Sequence, residues 1–173
     1  MQPAYYENLE EIQKKLWFML DDAVINRSSP FRIPVFICAD QNDIDGRIVV
    51  LRKSEKNNSL LQFHTDLRSQ KIDILKKNKH ASLVFYDKEE KIQLRVKVTC
   101  EINNQNSTTK EAWKKTQHIS RRCYLVDNGP GSISDGPTSG MISKLEDFDY
   151  TMEQSEEGYK NFTVIKCKIK SIE

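Results

Sequence analysis

Basic, hydroxyl and amide side chains come close together in the sequence between positions 47 and 71. Arg47 opens an apolar run and Arg52 closes it, while Thr65 ends the next apolar run. The segment Ser69-Gln70-Lys71 then begins a stretch with helical spacing. Because the first turn of a helix has N–H groups without intrahelical partners, this turn is suited to an anion, and phosphate is the natural candidate. The alternative is that these cations are solvated residues at strand ends.

A second polar set lies on a long predicted strand. Gln93 and Arg95 share the polar face of residues 92–102, where apolar and polar residues alternate. A neutral amide can donate to a carbonyl or accept from a ring N–H, although a half-exposed sheet face is the plainer interpretation. The sequence has no nucleophile elbow and no glycine-rich phosphate loop, and its histidines lack metal-ligand spacing. We therefore expect no metal site, and no catalytic acid or base is identified.

The elements that would position these side chains follow from periodicity and turn residues. Helices are predicted over 5–20, over 70–78 with Ser69 as its cap, and over 108–123 with Thr108 or Thr109 as its cap. Turn residues occupy 42–46, and residues 127–144 form a glycine-rich loop that is either a functional rim or disordered. Strands are predicted over 33–39, 47–51, 60–65, 81–86 and 92–102 and at the end of 148–173. This order predicts a single α+β domain over 1–173, mainly β, built on an antiparallel sheet closed into a barrel with flanking helices.

Composition narrows the possible functions. The chain has 173 residues with 27 Lys and Arg against 25 Asp and Glu, so its net charge of +2 argues against a strongly basic nucleic-acid-binding protein. No apolar run approaches the roughly 18 residues of a membrane span, and the first residues lack the apolar stretch of a signal peptide. The four cysteines are scattered without a CxxC motif, as in a reducing compartment. We expect a cytoplasmic protein that binds neither nucleic acid nor membrane.

The motifs, taken in order, resemble the FMN-binding core of the pyridoxamine 5′-phosphate oxidase family. The resemblance rests on five short segments between residues 30 and 102, namely RIVVLR at 47–52, FHT at 63–65, SQK at 69–71, residues 78–85 and IQLRV at 92–96. Trp113, the segment 120–124 and Gly129-Pro130-Gly131 are similar to an oxidase-related, FMN-binding subgroup. Two positions depart from the family pattern. Gln70 stands where the family usually has Arg, and His64 stands where it usually has Tyr or Phe.

The resemblance implies an antiparallel split β-barrel that binds FMN as a homodimer, with the cofactor near the interface. Lys71 would pair with the phosphate, His64 and Thr65 would lie at the phosphate end, and Gln93 would meet the flavin from the facing subunit or strand. The strand that begins at Arg47 would lie along the ring and ribityl chain. The implied cofactor-binding residues are Arg47, Ile48, Val49, Val50, Leu51, Arg52, His64, Thr65, Ser69, Gln70, Lys71 and Gln93.

By this resemblance, the chain is an FMN-dependent oxidoreductase that acts on an unknown small molecule. Arg95 and Arg121 are the candidates for binding an anionic substrate, with solvated or interface arginines as the alternative. The competing hypothesis is a split-barrel module that binds flavin or haem without turnover. A barrel that binds single-stranded nucleic acid is disfavoured, because the polar face of 92–102 carries no aromatic residue.

Overall fold

The barrel is built from seven antiparallel strands. The structure, a computed structural model, describes residues 7–41, 43–141 and 143–173. The strands are β1 (Val35–Ala39), β2 (Ile44–Ile48), β3 (Leu51–Glu55), β4 (Leu60–Asp66), β5 (His80–Asp87), β6 (Ile92–Asn104) and β7 (Phe162–Ile172). They form one sheet in the order β2-β1-β5-β6-β7-β4-β3.

The connection between β2 and β3 shows why the sheet must curl. These strands lie at opposite edges of the sheet, yet only Val49 and Val50 separate them in sequence. Two residues span roughly 10 Å at most between the flanking strand ends, so the two edges must approach each other. The predicted mainly-β, antiparallel split barrel is therefore confirmed. The predicted single strand over 47–51 is wrong, because this segment crosses from one edge strand to the other.

Six α-helices among the described residues flank the sheet. They are α1 (Leu9–Ile25), α2 (Gln70–Lys77), α3 (Ser107–Lys115), α4 (His118–Arg121), α5 (Ser143–Glu146) and α6 (Met152–Ser155), with short 3₁₀ turns at Pro30–Arg32, Arg122–Tyr124 and Glu156–Lys160. No helix among the described residues is both long and apolar enough to span a bilayer.

Helix α1 starts later and ends later than predicted. The side chain of Asn8 accepts hydrogen bonds from the backbone N–H groups of Glu10 and Glu11, which fixes the start at Leu9. The helix then continues to Ile25, because Trp17, Leu20 and Ala23 are buried in the barrel core. Residues 5–6 of the predicted helix lie outside the described residues.

Two other predicted boundaries change for local reasons. Asn106, not Thr108 or Thr109, caps α3, and Thr109 completes a capping box as the third helical residue. The predicted helix over 108–123 breaks after Lys115 and resumes as α4. The predicted turn over 42–46 is largely strand, since β2 already begins at Ile44; Asn42 lies outside the described residues, as does Ile142 of the predicted loop over 127–144.

The core confirms the alternation predicted for 92–102. Leu94, Val96, Val98 and Cys100 of β6 are buried, and the residues between them are exposed or half-buried. Phenylalanines fill the centre of the barrel, with the rings of Phe36 and Phe63 4.8 Å apart. A smaller cluster of Trp113, Phe162 and Val164 holds α3 against β7 on the other face of the sheet. Side chains on the two faces of β4 and β7 therefore lie in two separate environments.

Candidate functional site

A buried lysine connects the end of β4 to the start of α2. The Lys71 Nζ donates to Thr65 Oγ1 at 2.7 Å and to Ser69 Oγ at 2.8 Å. Arg47 of β2 donates from Nη1 to the same Ser69 hydroxyl at 2.9 Å and pairs with Asp45. Four of the predicted cofactor-binding residues are thus brought together, and we call them the Lys71 cluster: Arg47, Thr65, Ser69 and Lys71.

The Lys71 cluster has more positive charge than its contacts balance. Lys71 is only 5% exposed, and its pKa is lowered to about 8, first by burial and then by the charge of Arg47. Its two hydrogen-bond acceptors are neutral hydroxyls. The carboxylate of Asp45 is paired with Arg47. An anion placed here would offset the cost of keeping a lysine buried.

An unpaired donor supports the same conclusion. The Nε of Arg47 is buried and has no hydrogen-bond acceptor among the described residues. Ser69 precedes α2 as its N-cap residue, but its hydroxyl makes no cap bond to the helix because it accepts from Lys71 and Arg47. The donors of the cluster and the N-terminal end of α2 therefore suit a phosphate group.

Gln70 and Arg68 are bonded elsewhere. The side-chain amide of Gln70 donates to Asp43 at 2.9 Å. Arg68 makes a two-pronged ion pair with Asp66 and donates to the backbone carbonyls of residues 126 and 127. Gly129 lies so close to Arg68 that a Cβ atom on it would be 2.7 Å from the Arg68 Cβ. Arg68 thus holds the loop after α4 and does not supply the charge that Gln70 lacks.

The link between β2 and β3 separates its side chains by face. Val49 and Leu51 are buried in the barrel core, whereas Ile48 is 59% exposed and Val50 is half-buried. The pairing of β3 with β4 shifts between Leu51 and Lys53, so Arg52 is the extra residue of a bulge. Arg52 and Lys53 consequently both line the cleft on the outer face of the sheet.

His64 faces away from the Lys71 cluster. Adjacent strand residues point to opposite faces, so Thr65 lies at the cluster and His64 in the cleft with Arg52. The His64 ring packs edge-on against Phe162, with ring centres 4.8 Å apart. Burial, and then the charge of Arg52, lower the His64 pKa to about 3, so the ring is neutral at pH 7. The two residues expected together at the phosphate end therefore lie on different faces of β4.

The cleft has a volume of about 960 Å³ and an unusually basic lining. Strands β3, β4 and β7 form its floor, and the end of α1, α3, α4 and the 3₁₀ turn after α4 line the rest of it. Its two carboxylates belong to Glu55 and Glu111. Its cationic side chains are those of Arg27, Arg32, Arg52, Lys53, Lys115, Arg122, Lys166 and Lys168.

Arg121, expected to bind a substrate, is instead buried among the helices. Its Nη2 and Nε donate to the backbone carbonyls of Trp113 and Thr116, and its Nη1 to Ser155 and Glu156. The guanidinium also lies 4.4 Å from the centre of the Trp113 ring. All three guanidinium nitrogens are thus bonded away from the cleft, which is lined by the next residue, Arg122.

Gln93 and Arg95 lie on the outer face of β6, apart from the Lys71 cluster. Gln93 is exposed and stands opposite Tyr86 of β5. Arg95 forms an ion pair with Glu173, and the two residues also exchange backbone hydrogen bonds of 2.8 and 2.9 Å. Neither residue lines the cleft of this chain.

Sequence reasoning missed Arg27, Arg32, Arg122 and the lysines of β7 as residues of one cleft. The only local signal was the pair Arg121-Arg122, since neighbouring residues on a short helix cannot both face the interior. Arg27 and Lys166 are far apart in sequence, and no spacing relates them.

Part of the sequence and the fold as a whole are similar to those of known proteins. Residues 19–104 match the family described as pyridoxamine 5′-phosphate oxidase, FMN-binding domain. No curated protein matches the sequence. A pyridoxamine 5′-phosphate oxidase-related, FMN-binding protein from Nostoc punctiforme is 14% identical with a TM-score of 0.67, over 99% of this chain and 84% of that one. PhzG from Burkholderia lata is 14% identical with a TM-score of 0.70, over 99% and 83% of the two chains.

The structural similarities establish the fold, and the family match covers the strands and the helix that carry the Lys71 cluster. Residues 19–104 of this chain are thus similar in sequence to the FMN-binding domains of the pyridoxamine 5′-phosphate oxidase family, and the fold is that of its structural neighbours.

Proposed function

We propose that this protein binds FMN and acts as an FMN-dependent oxidoreductase on a small molecule. The observation that carries the proposal is the Lys71 cluster, where two cations and two hydroxyls meet beside a helix N-terminus with the buried Nε of Arg47 unpaired. These donors suit the FMN phosphate. FMN itself would supply the redox chemistry by taking up and releasing electrons.

The residues of the Lys71 cluster, the link between β2 and β3, and His64 would each have a role in holding the cofactor. Lys71 and Arg47 neutralise the phosphate, and Thr65 and Ser69 orient them through their hydroxyls. The backbone from Ile48 to Arg52 would border the flavin, since it runs from β2 beside the cluster to β3 beside the cleft. His64 would offer the cleft a neutral ring that is already held by Phe162.

A homodimer is part of the proposal. Ile44 and Ile48 of β2 and Tyr86 of β5 are 76%, 59% and 58% exposed. The register aligns Ile48 through β1 and β5 with Arg95 of β6, so Gln93 and Arg95 border this apolar patch on the same face. A second copy seated on the patch would bury it and bring Gln93 toward the partner's flavin. Sedimentation velocity of the wild type and of Ile48→Glu tests the homodimer. We expect the wild type to be a dimer and Ile48→Glu to be a monomer. A monomeric wild type would contradict the proposal.

The first experiment is the visible absorption spectrum of the purified protein, followed by titration with FMN. Flavin bands, or saturable quenching of FMN fluorescence, are the expected result. Riboflavin is the matched control ligand, because it has the same ring and lacks the phosphate that the Lys71 cluster would hold. Equal affinity for the two would refute the phosphate assignment, and absence of binding to both would refute the flavoprotein.

Turnover separates the oxidoreductase from a flavin carrier. The FMN-loaded protein is reduced with NADPH or NADH under anaerobic conditions and then exposed to oxygen, while the flavin band near 450 nm is followed. Reduction and reoxidation faster than those of free FMN support the enzyme. A bound flavin that exchanges electrons no faster than free FMN would favour the non-catalytic module.

A further inference from the structure

The basic cleft contains arginines that no carboxylate balances. Among the residues that the structure describes, no ion pair includes Arg27, Arg32, Arg52 or Arg122. The hydrogen-bond acceptors of Arg27, Arg32 and Arg122 are neutral groups. Arg27 donates to the Gln117 side chain at 3.2 Å, and Arg32 donates to the carbonyls of residues 23 and 24 at the end of α1. Arg122 donates to the carbonyls of residues 145 and 146.

The carboxylates of the cleft are already engaged. Glu55 pairs with Lys53 on β3, and Glu111 pairs with Lys115 on α3 at 2.9 Å. Lys166 and Lys168 of β7 add two positive charges to the cleft. Their hydrogen-bond acceptors, the Thr108 hydroxyl and the carbonyl of residue 58, are neutral and do not balance these charges. Lys166 lies near enough to Glu55 and Glu111 to contribute to their lowered pKa values, but among the described residues neither it, Lys168 nor the four arginines forms an ion pair in the cleft.

Arg52 lies within electrostatic reach of Arg32 and Arg27. Burial lowers the pKa of Arg52, Tyr124 opposes this, and the charges of the two arginines lower it further. Like charges gathered in a concave, partly desolvated site are costly unless an anion joins them. The geometry fits a bound molecule with more than one negative group, because the arginines come from separate segments: the chain after α1, the 3₁₀ turn Pro30–Arg32, β3 and the 3₁₀ turn after α4.

We propose that this cleft binds the substrate, a small molecule with at least two negatively charged groups, carboxylate or phosphate, and that Arg27 is one of its specificity-determining residues. The assignment of this ligand as a substrate rests on the proposed flavin function. Arg52 and His64 line the cleft and adjoin the backbone proposed to border the flavin. The site is separate from the Lys71 cluster, which lies on the other face of β4.

The test uses the full chain without added FMN and measures binding of citrate and of tripolyphosphate by isothermal titration calorimetry, with acetate as the single-charge control. Arg27→Gln is the main variant, since its only described side-chain bond is to Gln117. Lys88→Gln is the matched control, an exposed lysine between β5 and β6 that pairs with Glu89 and does not line the cleft. Lys166→Gln is a second variant on the floor of the cleft.

We expect at least one of the two polyanions to bind, and Arg27→Gln and Lys166→Gln each to weaken it about tenfold, as for loss of a charge-assisted contact. Lys88→Gln should change its affinity less than about twofold. Two outcomes would overturn the cleft assignment: no binding of either polyanion, or equal weakening by Lys88→Gln. Binding of a single-stranded RNA dodecamer more tightly than either polyanion would overturn the small-molecule class.

The FMN titration keeps the two proposals distinguishable. Arg27→Gln should bind FMN as the wild type does, because Arg27 is not among the residues assigned to the cofactor. Polyanion binding without FMN binding would refute the flavin function, and with it the substrate role of the cleft. FMN binding without polyanion binding would refute only the inference about the substrate.

Discussion

Replacing Lys71 with Met separates the function of this residue from its part in the fold. Methionine has nearly the length of the lysine stem and fills the same buried space without the charge. The variant deletes the Nζ that donates to Thr65 and Ser69 and leaves Arg47 bonded to Ser69. We expect stability to change little and FMN affinity to fall steeply.

The structure gives the size of both effects. Lowering the Lys71 pKa from 10.5 to about 8 means that the charged side chain costs about 3 kcal/mol at neutral pH. Its two hydrogen bonds contribute about 1–1.5 kcal/mol each. Removing both the cost and the bonds should therefore move the free energy of unfolding by no more than about 1 kcal/mol. Loss of a charge-assisted bond to phosphate costs about 1.5–3 kcal/mol, or about 10–150-fold in the FMN dissociation constant.

The assay pairs urea unfolding with FMN titration. Lys76→Met is the control, because Lys76 lies on the same helix but is exposed and paired with Asp73. It should leave FMN affinity within about twofold of wild type. The reasoning is refuted if Lys71→Met binds FMN as tightly as wild type does. Unfolding of Lys71→Met at much lower urea would instead mean that the lysine is needed for the fold.

Three further predictions concern Lys71, Gln70 and Gly129. The FMN dissociation constant should be nearly flat from pH 7 to 8 and then rise by up to about tenfold per pH unit. The reason is that free Lys71 loses its proton above about 8 and must regain one to pair with phosphate; an unchanged constant at pH 9 would contradict it. Gln70→Arg should tighten FMN binding by returning a cation to the start of α2, and unchanged or weaker binding would argue against that placement. Gly129→Ala should destabilise the protein by about 1–3 kcal/mol, because the new Cβ would press on Arg68. Gly136→Ala is the control, since a Cβ at that position meets open space. Equal urea midpoints for the two variants would show that the loop around Gly129 moves to accommodate the Cβ.

Local periodicity determined much of the fold from the sequence alone. The alternation over 92–102 gave β6 and its buried face, and Ser69 marked the start of α2. The same local order placed Ser69 and Lys71 close to Thr65 in a short segment, so the proximity of these three members of the Lys71 cluster could be predicted from the sequence. These features depend on interactions within a few residues, which sequence spacing records directly.

Only the tertiary structure decided which side chains lie on each face of the sheet and which residues from distant segments contact them. It separated His64 from Thr65 across β4, and the bulge turned Arg52 toward the cleft. It buried Arg121 under α6 and left Arg122 to line the cleft, whose other cations, Arg27 among them, come from distant segments. Spacing along the chain fixes the relative direction of neighbouring side chains, but the partner across a barrel depends on strand order and register. Contacts between distant segments set that order and register.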